Sequence, residues 1–125
     1  MKIEVSMGEV LDKITILQIK LENLKDEKKL SHVRHELNTL EHALAQREVE
    51  IPEDLFKKLK DVNQTLWDTE DIIRDKEKKG EFDEEFIKHA RLDAKLNDQR
   101  FLVKNEINHF YDSNIKEQKS YDGLY

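Results

Sequence analysis

Asn97, Arg100, Lys104 and Asn108 are spaced three, four and four apart. At about 100° per residue they fall on one narrow stripe of a helix. Leu96, Val103 and Ile107 flank that stripe on one side, and Ala94 and Phe101 on the other. A cationic, amide-bearing seam between two apolar seams has to meet partners inside the fold or at an interface, because unpaired buried charge is costly. It is therefore either a site for a small anion, phosphate or carboxylate bearing, or an internal hydrogen-bond network. A second mixed stripe, Asn63, Trp67, Glu70 and Arg74, steps four, three and four alongside Phe56. Trp67 offers a flat face, Arg74 a fork for carboxylate or phosphate, and Glu70 an acceptor able to serve as acid or base. Set against each other, the two stripes make a polar pocket in a bundle core, a common place for ligand sites. In that pocket Arg74, Arg100 and Lys104 clamp the anion and Asn63, Asn97 and Asn108 orient it. The competing reading is structural: Glu70 and Arg74, one turn apart, pair with each other, and ion-pair networks mimic active sites.

Other chemistry is weaker. Lys13 and Lys20 flank an apolar seam seven residues apart, where lysines usually lay their stems over the seam and keep the ammonium wet. Asp12 joins a separate strip with Ile16 and Ile19. His32, His35 and His42 fall on the outer face of their helix, with no carboxylate obliged to converge on them and no cysteine in the chain, so a zinc site lacks its ligands. Acidic pairs such as Glu9 with Asp12, or Glu70 with Asp71 and Asp75, suit magnesium in principle, but 28 acidic residues generate such spacings by chance. There is no glycine-rich phosphate loop and no Gly-x-Ser-x-Gly elbow. No metal and no cofactor is expected.

The elements that must position these groups are helices. A chain of 125 residues is one domain's length, and residues 1–125 are read as a single helical domain ending in a polar tail over 113–125. Charged residues make up 40% of it, yet Leu, Ile and Val recur at helical spacing and only 3 Gly and 1 Pro interrupt them, which argues for an ordered all-α fold. The formal net charge of −6 is finely mixed, without the basic footprint of a nucleic-acid binder. No signal peptide and no run of membrane-spanning length is present, so a cytoplasmic protein without membrane contact is expected.

Ser6 with Glu9 fits a capping box opening a first helix, whose seam is Val10, Ile14, Leu17, Leu21 and Leu24. Ile16 and Ile19 lie on its opposite side, so this helix is either central or at a subunit contact. Asp26 can cap a second helix carrying Leu30, Val33, Leu37, Leu40 and Leu44. The phase slip over 24–30 favours a hairpin over one long bent helix across 6–48. Pro52, followed by Glu53 and Asp54, opens a third helix to about Lys79, with Leu55, Leu59, Val62, Leu66 and Ile73 inward and Gly80 as its stop. Asp83 caps the fourth, Phe82 and Ile87 are placed as a staple, and that helix runs to about Asp112. Beyond it, Tyr121, Leu124 and Tyr125 could dock on the bundle or on another subunit, against the commoner outcome of a frayed end.

The opening Gly8-Glu9-Val10-Leu11-Asp12-Lys13-Ile14-Thr15-Ile16-Leu17-Gln18-Ile19-Lys20 resembles that of a family of uncharacterised short helical proteins of bacteria and phages. Arg34-His35-Glu36-Leu37, Leu66-Trp67-Asp68-Thr69-Glu70-Asp71 with Arg74, Asn97-Asp98-Gln99-Arg100 with Lys104 and Asn108, and Glu117-Gln118-Lys119-Ser120-Tyr121 are similar to its later segments. The resemblance spans nearly the whole chain. It implies no established activity, and it implies a genomic setting among genes for surface polysaccharide and glycosyl transfer. Leu11-Asp12-Lys13-Ile14 also echoes the small helical chorismate mutases, which hold a dicarboxylate among helices with Arg, Lys and Glu. Lysines stand here where those enzymes place arginines, and Lys lacks the bidentate fork, which weighs against mutase activity.

The expectation is thus an all-α antiparallel bundle of three to four long helices, dimeric through helix one or helix four, because both carry more apolar seam than a small monomer covers. The preferred function is a non-catalytic assembly or adaptor protein, a coiled-coil-like homodimer with room for a protein partner. Its alternative is a small-anion binding protein or enzyme using the two polar stripes, linked to surface-polysaccharide metabolism.

Overall fold

Four helices build the protein: α1 (Met7–Asn23), α2 (Glu27–Gln46), α3 (Glu53–Lys79) and α4 (Glu84–Asp122). The computed structural model describes residues 5–122, with side chains to Asp112, and no strand occurs among them.

The caps explain where each helix starts and stops. The Ser6 hydroxyl accepts the Glu9 N–H at 3.3 Å, but the reciprocal half of the box is missing: the Glu9 carboxylate is drawn to Lys104 instead, at 2.6 Å. Asp26 accepts the N–H groups of Lys28 (3.0 Å) and Lys29 (3.4 Å), so residues 6–48 form a hairpin of two helices. α3 ends on Gly80, whose φ of 68° is left-handed, a conformation that suits a residue without Cβ. Asp83 accepts the Phe86 N–H at 2.9 Å and caps α4. The expected staple does not form. Phe82 and Ile87 are both exposed, and Phe82 meets Phe86 edge-on at 5.3 Å. α4 continues ten residues past Asp112, since no glycine or proline follows until Gly123; the docking expected of Tyr121, Leu124 and Tyr125 lies outside the described side chains.

α1 is the hub. It packs on α2, α3 and α4; α3 packs along α4; among the described residues α2 has α1 as its one helix neighbour. This placement accounts for the two apolar strips of α1, because no single partner covers both. Leu11, Ile14 and Leu17 join Val33 and Leu37 of α2, Leu59 of α3, and Val103 and Ile107 of α4 in one core. Each such side chain contributes about 1.5–3 kcal/mol on leaving water. α3 and α4 run antiparallel, tied near one end by Lys58–Glu106 at 3.3 Å and near the other by Lys76–Asp83 at 3.1 Å. Of the two seams expected on α4, Leu96, Val103 and Ile107 are buried while Phe101 is 63% exposed. Among the described residues no helix is long and apolar enough to cross a membrane.

Candidate functional site

The polar stripe of α4 turns towards α1, and its counterpart there is Asp12, 3% exposed. Arg100 grips this carboxylate with its fork: Nε donates to Oδ1 at 3.0 Å and Nη2 to Oδ2 at 2.5 Å. Asn63 of α3 adds a third bond, its amide donating to Asp12 Oδ1 and to Thr15 Oγ1, both at 2.8 Å. Thr15, fully buried, donates its hydroxyl hydrogen bond to the Asp12 carbonyl at 2.7 Å. Lys104 bridges Asp12 Oδ2 at 3.7 Å and Glu9 at 2.6 Å. Three helices thus meet on one buried carboxylate whose lone pairs are taken up by fixed donors. Burial pushes the Asp12 carboxyl up, but its bonds to Arg100 and Asn63 and the charges of Arg100 and Lys104 outweigh this and hold it below the ordinary value of 3.8. The same pairing raises Arg100.

One turn along, Asn108 caps α1 from outside. Its Oδ1 accepts the Gly8 N–H at 2.7 Å, one of the donors that the first turn of a helix leaves without an internal partner. The backbones approach so closely that a Cβ on Gly8 would lie 2.7 Å from the Lys104 carbonyl oxygen and 2.8 Å from Asn108 Oδ1. Asn97, by contrast, is exposed, and its amide bonds back to Asp93 on its own helix.

Asn63, Trp67, Glu70, Arg74 and Arg100 line a single cavity of about 160 Å³ with Ile16, Ile19 and Leu66. The two stripes do face each other, but the cations are spoken for. Arg100 is held by Asp12, Lys104 lies outside the cavity, and Arg74, with 66% of its side chain exposed, leans on Glu70 at 3.5 Å and Asp71 at 3.7 Å. Glu70 is shifted upward, first by burial and then by Asp93 beside it, against the opposing pull of Arg74 and Arg100. The Asp93 Oδ1 is buried without a hydrogen-bond partner, and Glu70, when protonated, is the neighbouring group able to donate to Asp93. A larger cleft of about 340 Å³ lies between α1, the end of α2 and the start of α3. It is lined by Leu11, Ile14, Leu44, Ile51 and Phe56 among others, and by none of the candidate residues.

Lys13 pairs with Glu36 across the α1–α2 hairpin at 3.1 Å, and neither it nor Lys20 joins the Asp12 cluster among the described residues. His32, His35 and His42 are exposed, and no three His, Asp or Glu side chains converge as metal ligands among the described residues. Asp12 is the central group, although its spacing places it in neither polar stripe. Its signal was its place in the strip with Ile16 and Ile19, where a carboxylate has to find a partner. The chain matches no curated protein and no solved structure. It belongs to a family of unknown function, DUF6165, which spans residues 1–124.

Proposed function

We propose that the protein acts by association, as a non-catalytic helical assembly module that forms a cytoplasmic homodimer and presents its bundle to a further protein partner. The observation that carries this reading is a division of labour on α4. Its cationic stripe is neutralised within the chain by Asp12 and Glu9, while Ile87 and Phe101 stand 54% and 63% exposed. Groups that already hold each other within the fold have little left to offer a substrate. An exposed Phe and Ile on one helix are what an association surface needs. The resemblance drawn from the sequence would place such a module beside surface-polysaccharide synthesis in a bacterium or phage. The test is the mass of the full chain in solution by light scattering across the micromolar range. Twice the chain mass is expected, and a monomer at every concentration overturns the reading.

A second reading, recognition of a small phosphate or carboxylate, draws on the cavity shared by Asn63, Trp67, Glu70, Arg74 and Arg100. Binding there would have to compete with Asp12 for Arg100 and with Glu70 and Asp71 for Arg74. Phosphates, nucleotide sugars and dicarboxylates are therefore expected to leave the melting temperature unchanged. A ligand at a hundred times its dissociation constant would add about 2.7 kcal/mol, so a clear upward shift would favour this second reading.

A further inference from the structure

The exposed face of α4 carries a seam of its own. Ile87, Ala90, Ala94, Asn97 and Phe101 step three, four, three and four, and all five are exposed. This is the spacing by which one helix packs along another in a two-helix coil. Only Asn97 interrupts its apolar character, and its amide is already bonded to Asp93 on its own helix. Over these four turns the seam is roughly 20 Å long.

We infer that this seam is a two-fold interface with a second copy of the chain, the two α4 helices packing antiparallel; the inference rests on the association reading above and specifies its contact. In an antiparallel pair the two kinds of seam position alternate across the contact. Ala94 then faces the partner's Asn97, and Phe101 faces the partner's Ala90. Large side chain meets small where Phe101 faces Ala90, which is how facing helices interdigitate, and Ile87 lies beyond these layers.

Charge selects this register. Arg91 and Asp98 each directly follow a seam residue, are exposed, and enter no ion pair among the described residues. They are two turns apart on one helix, about 10 Å, too far to pair with each other. In the proposed register Arg91 lies beside the partner's Asp98, and the two-fold axis repeats the pair. Sliding the helices by one heptad in one direction sets Asp98 against the partner's Asp98. Sliding them in the other sets Arg91 against the partner's Arg91. A parallel pair stacks Phe101 on the partner's Phe101 and brings Asp93 beside the partner's Asp98. Each alternative meets like charge or bulk on bulk, and like charges in apposition are strongly disfavoured.

Sedimentation of the full chain with two charge variants tests this. Arg91→Glu alone and Asp98→Arg alone each place like charges at both rungs. Each is expected to weaken self-association about tenfold or more. Mixed in equal amounts, the two variants regain opposite charges at both rungs and are expected to form a heterodimer of near wild-type affinity. Phe101→Asp is expected to be monomeric. All three positions are exposed, and an unchanged helical circular dichroism spectrum confirms that the variants fold. A wild-type dimer indifferent to all three changes overturns this interface while leaving the association reading intact. A monomeric wild type overturns both. Variants that weaken alone yet fail to recover on mixing overturn the antiparallel register.

Discussion

Asp12 shows how a buried charge can be held ionised by fixed partners. Its carboxylate accepts from Arg100 and Asn63 and lies beside Lys104, so ionisation is stabilised and proton uptake opposed. Glu70 has the contrary environment: burial and Asp93 favour its neutral form. Divergent carboxyls of this kind mark acid and base partners in some enzymes. Here the first is locked by structural donors. Removing it should be the most damaging change in the network, because Arg100 and Asn63 lose their acceptor together. Asp12→Ala is expected to cost about 3–5 kcal/mol, the usual penalty for breaking a buried ion pair. Arg100→Lys, which keeps the charge but not the fork, should cost about 1.5–3 kcal/mol. Glu9→Ala should cost under about 1 kcal/mol, since the Glu9 side chain is 58% exposed. Urea unfolding gives the order, and equal losses for Glu9→Ala and Asp12→Ala would show that the network is not centred on Asp12.

Gly8 and Asn108 make the contact that docks the start of α1 on α4. Because the nearest atom to a new Cβ would be a backbone carbonyl oxygen at 2.7 Å, no side-chain rotation can relieve the clash. Gly8→Ala is expected to destabilise by about 1–3 kcal/mol through overpacking, despite alanine's better helix propensity. A denaturant midpoint that stays put or rises would show that the helices separate freely at this point. The helices themselves are legible: Ser6, Asp26, Gly80 and Asp83 mark boundaries by capping chemistry, and Pro52 by its fixed backbone angle, all acting within a few residues. The inward stripe of α4 was legible too, since its spacing needs only the period of one helix. Two things were not. Asn97 shares the stripe with Arg100 but faces out, because where α1 crosses α4 is a tertiary fact that a helical wheel does not contain. Among so many carboxylates, the choice of Asp12 as the partner depends on α1 packing against both α3 and α4, and nothing local to α1 announces that.

Asp12 and Glu70 together shape how the stability of the bundle responds to pH. The folded value of Asp12 lies below its unfolded 3.8, so its contribution is present above that pH and is lost as pH falls through the folded value. Glu70 has a folded value above its unfolded 4.5. Its contribution is therefore present below 4.5 and is lost as pH rises through the folded value. The net charge of −6 acts in the same sense as Glu70, because mild acid relieves self-repulsion. The Asp83 cap, also shifted downward, by its bonds to the Phe86 N–H and Lys76, adds to the acid limb with Asp12. The bundle is thus expected to be most stable in mild acid, near the ordinary carboxylate values, with a steep loss below and a shallow decline towards neutrality. Melting temperatures from pH 3 to 8 read this profile directly. Glu70→Gln should flatten the shallow limb, since a neutral amide neither repels Asp93 nor titrates and can donate to its buried oxygen. Asp12→Asn should flatten the steep limb at the expense of stability everywhere else, because an amide cannot accept from Arg100 and Asn63 as a carboxylate does. A profile that keeps both limbs in both variants would mean that other groups govern the titration, and that neither carboxyl is as strongly perturbed as its neighbours imply.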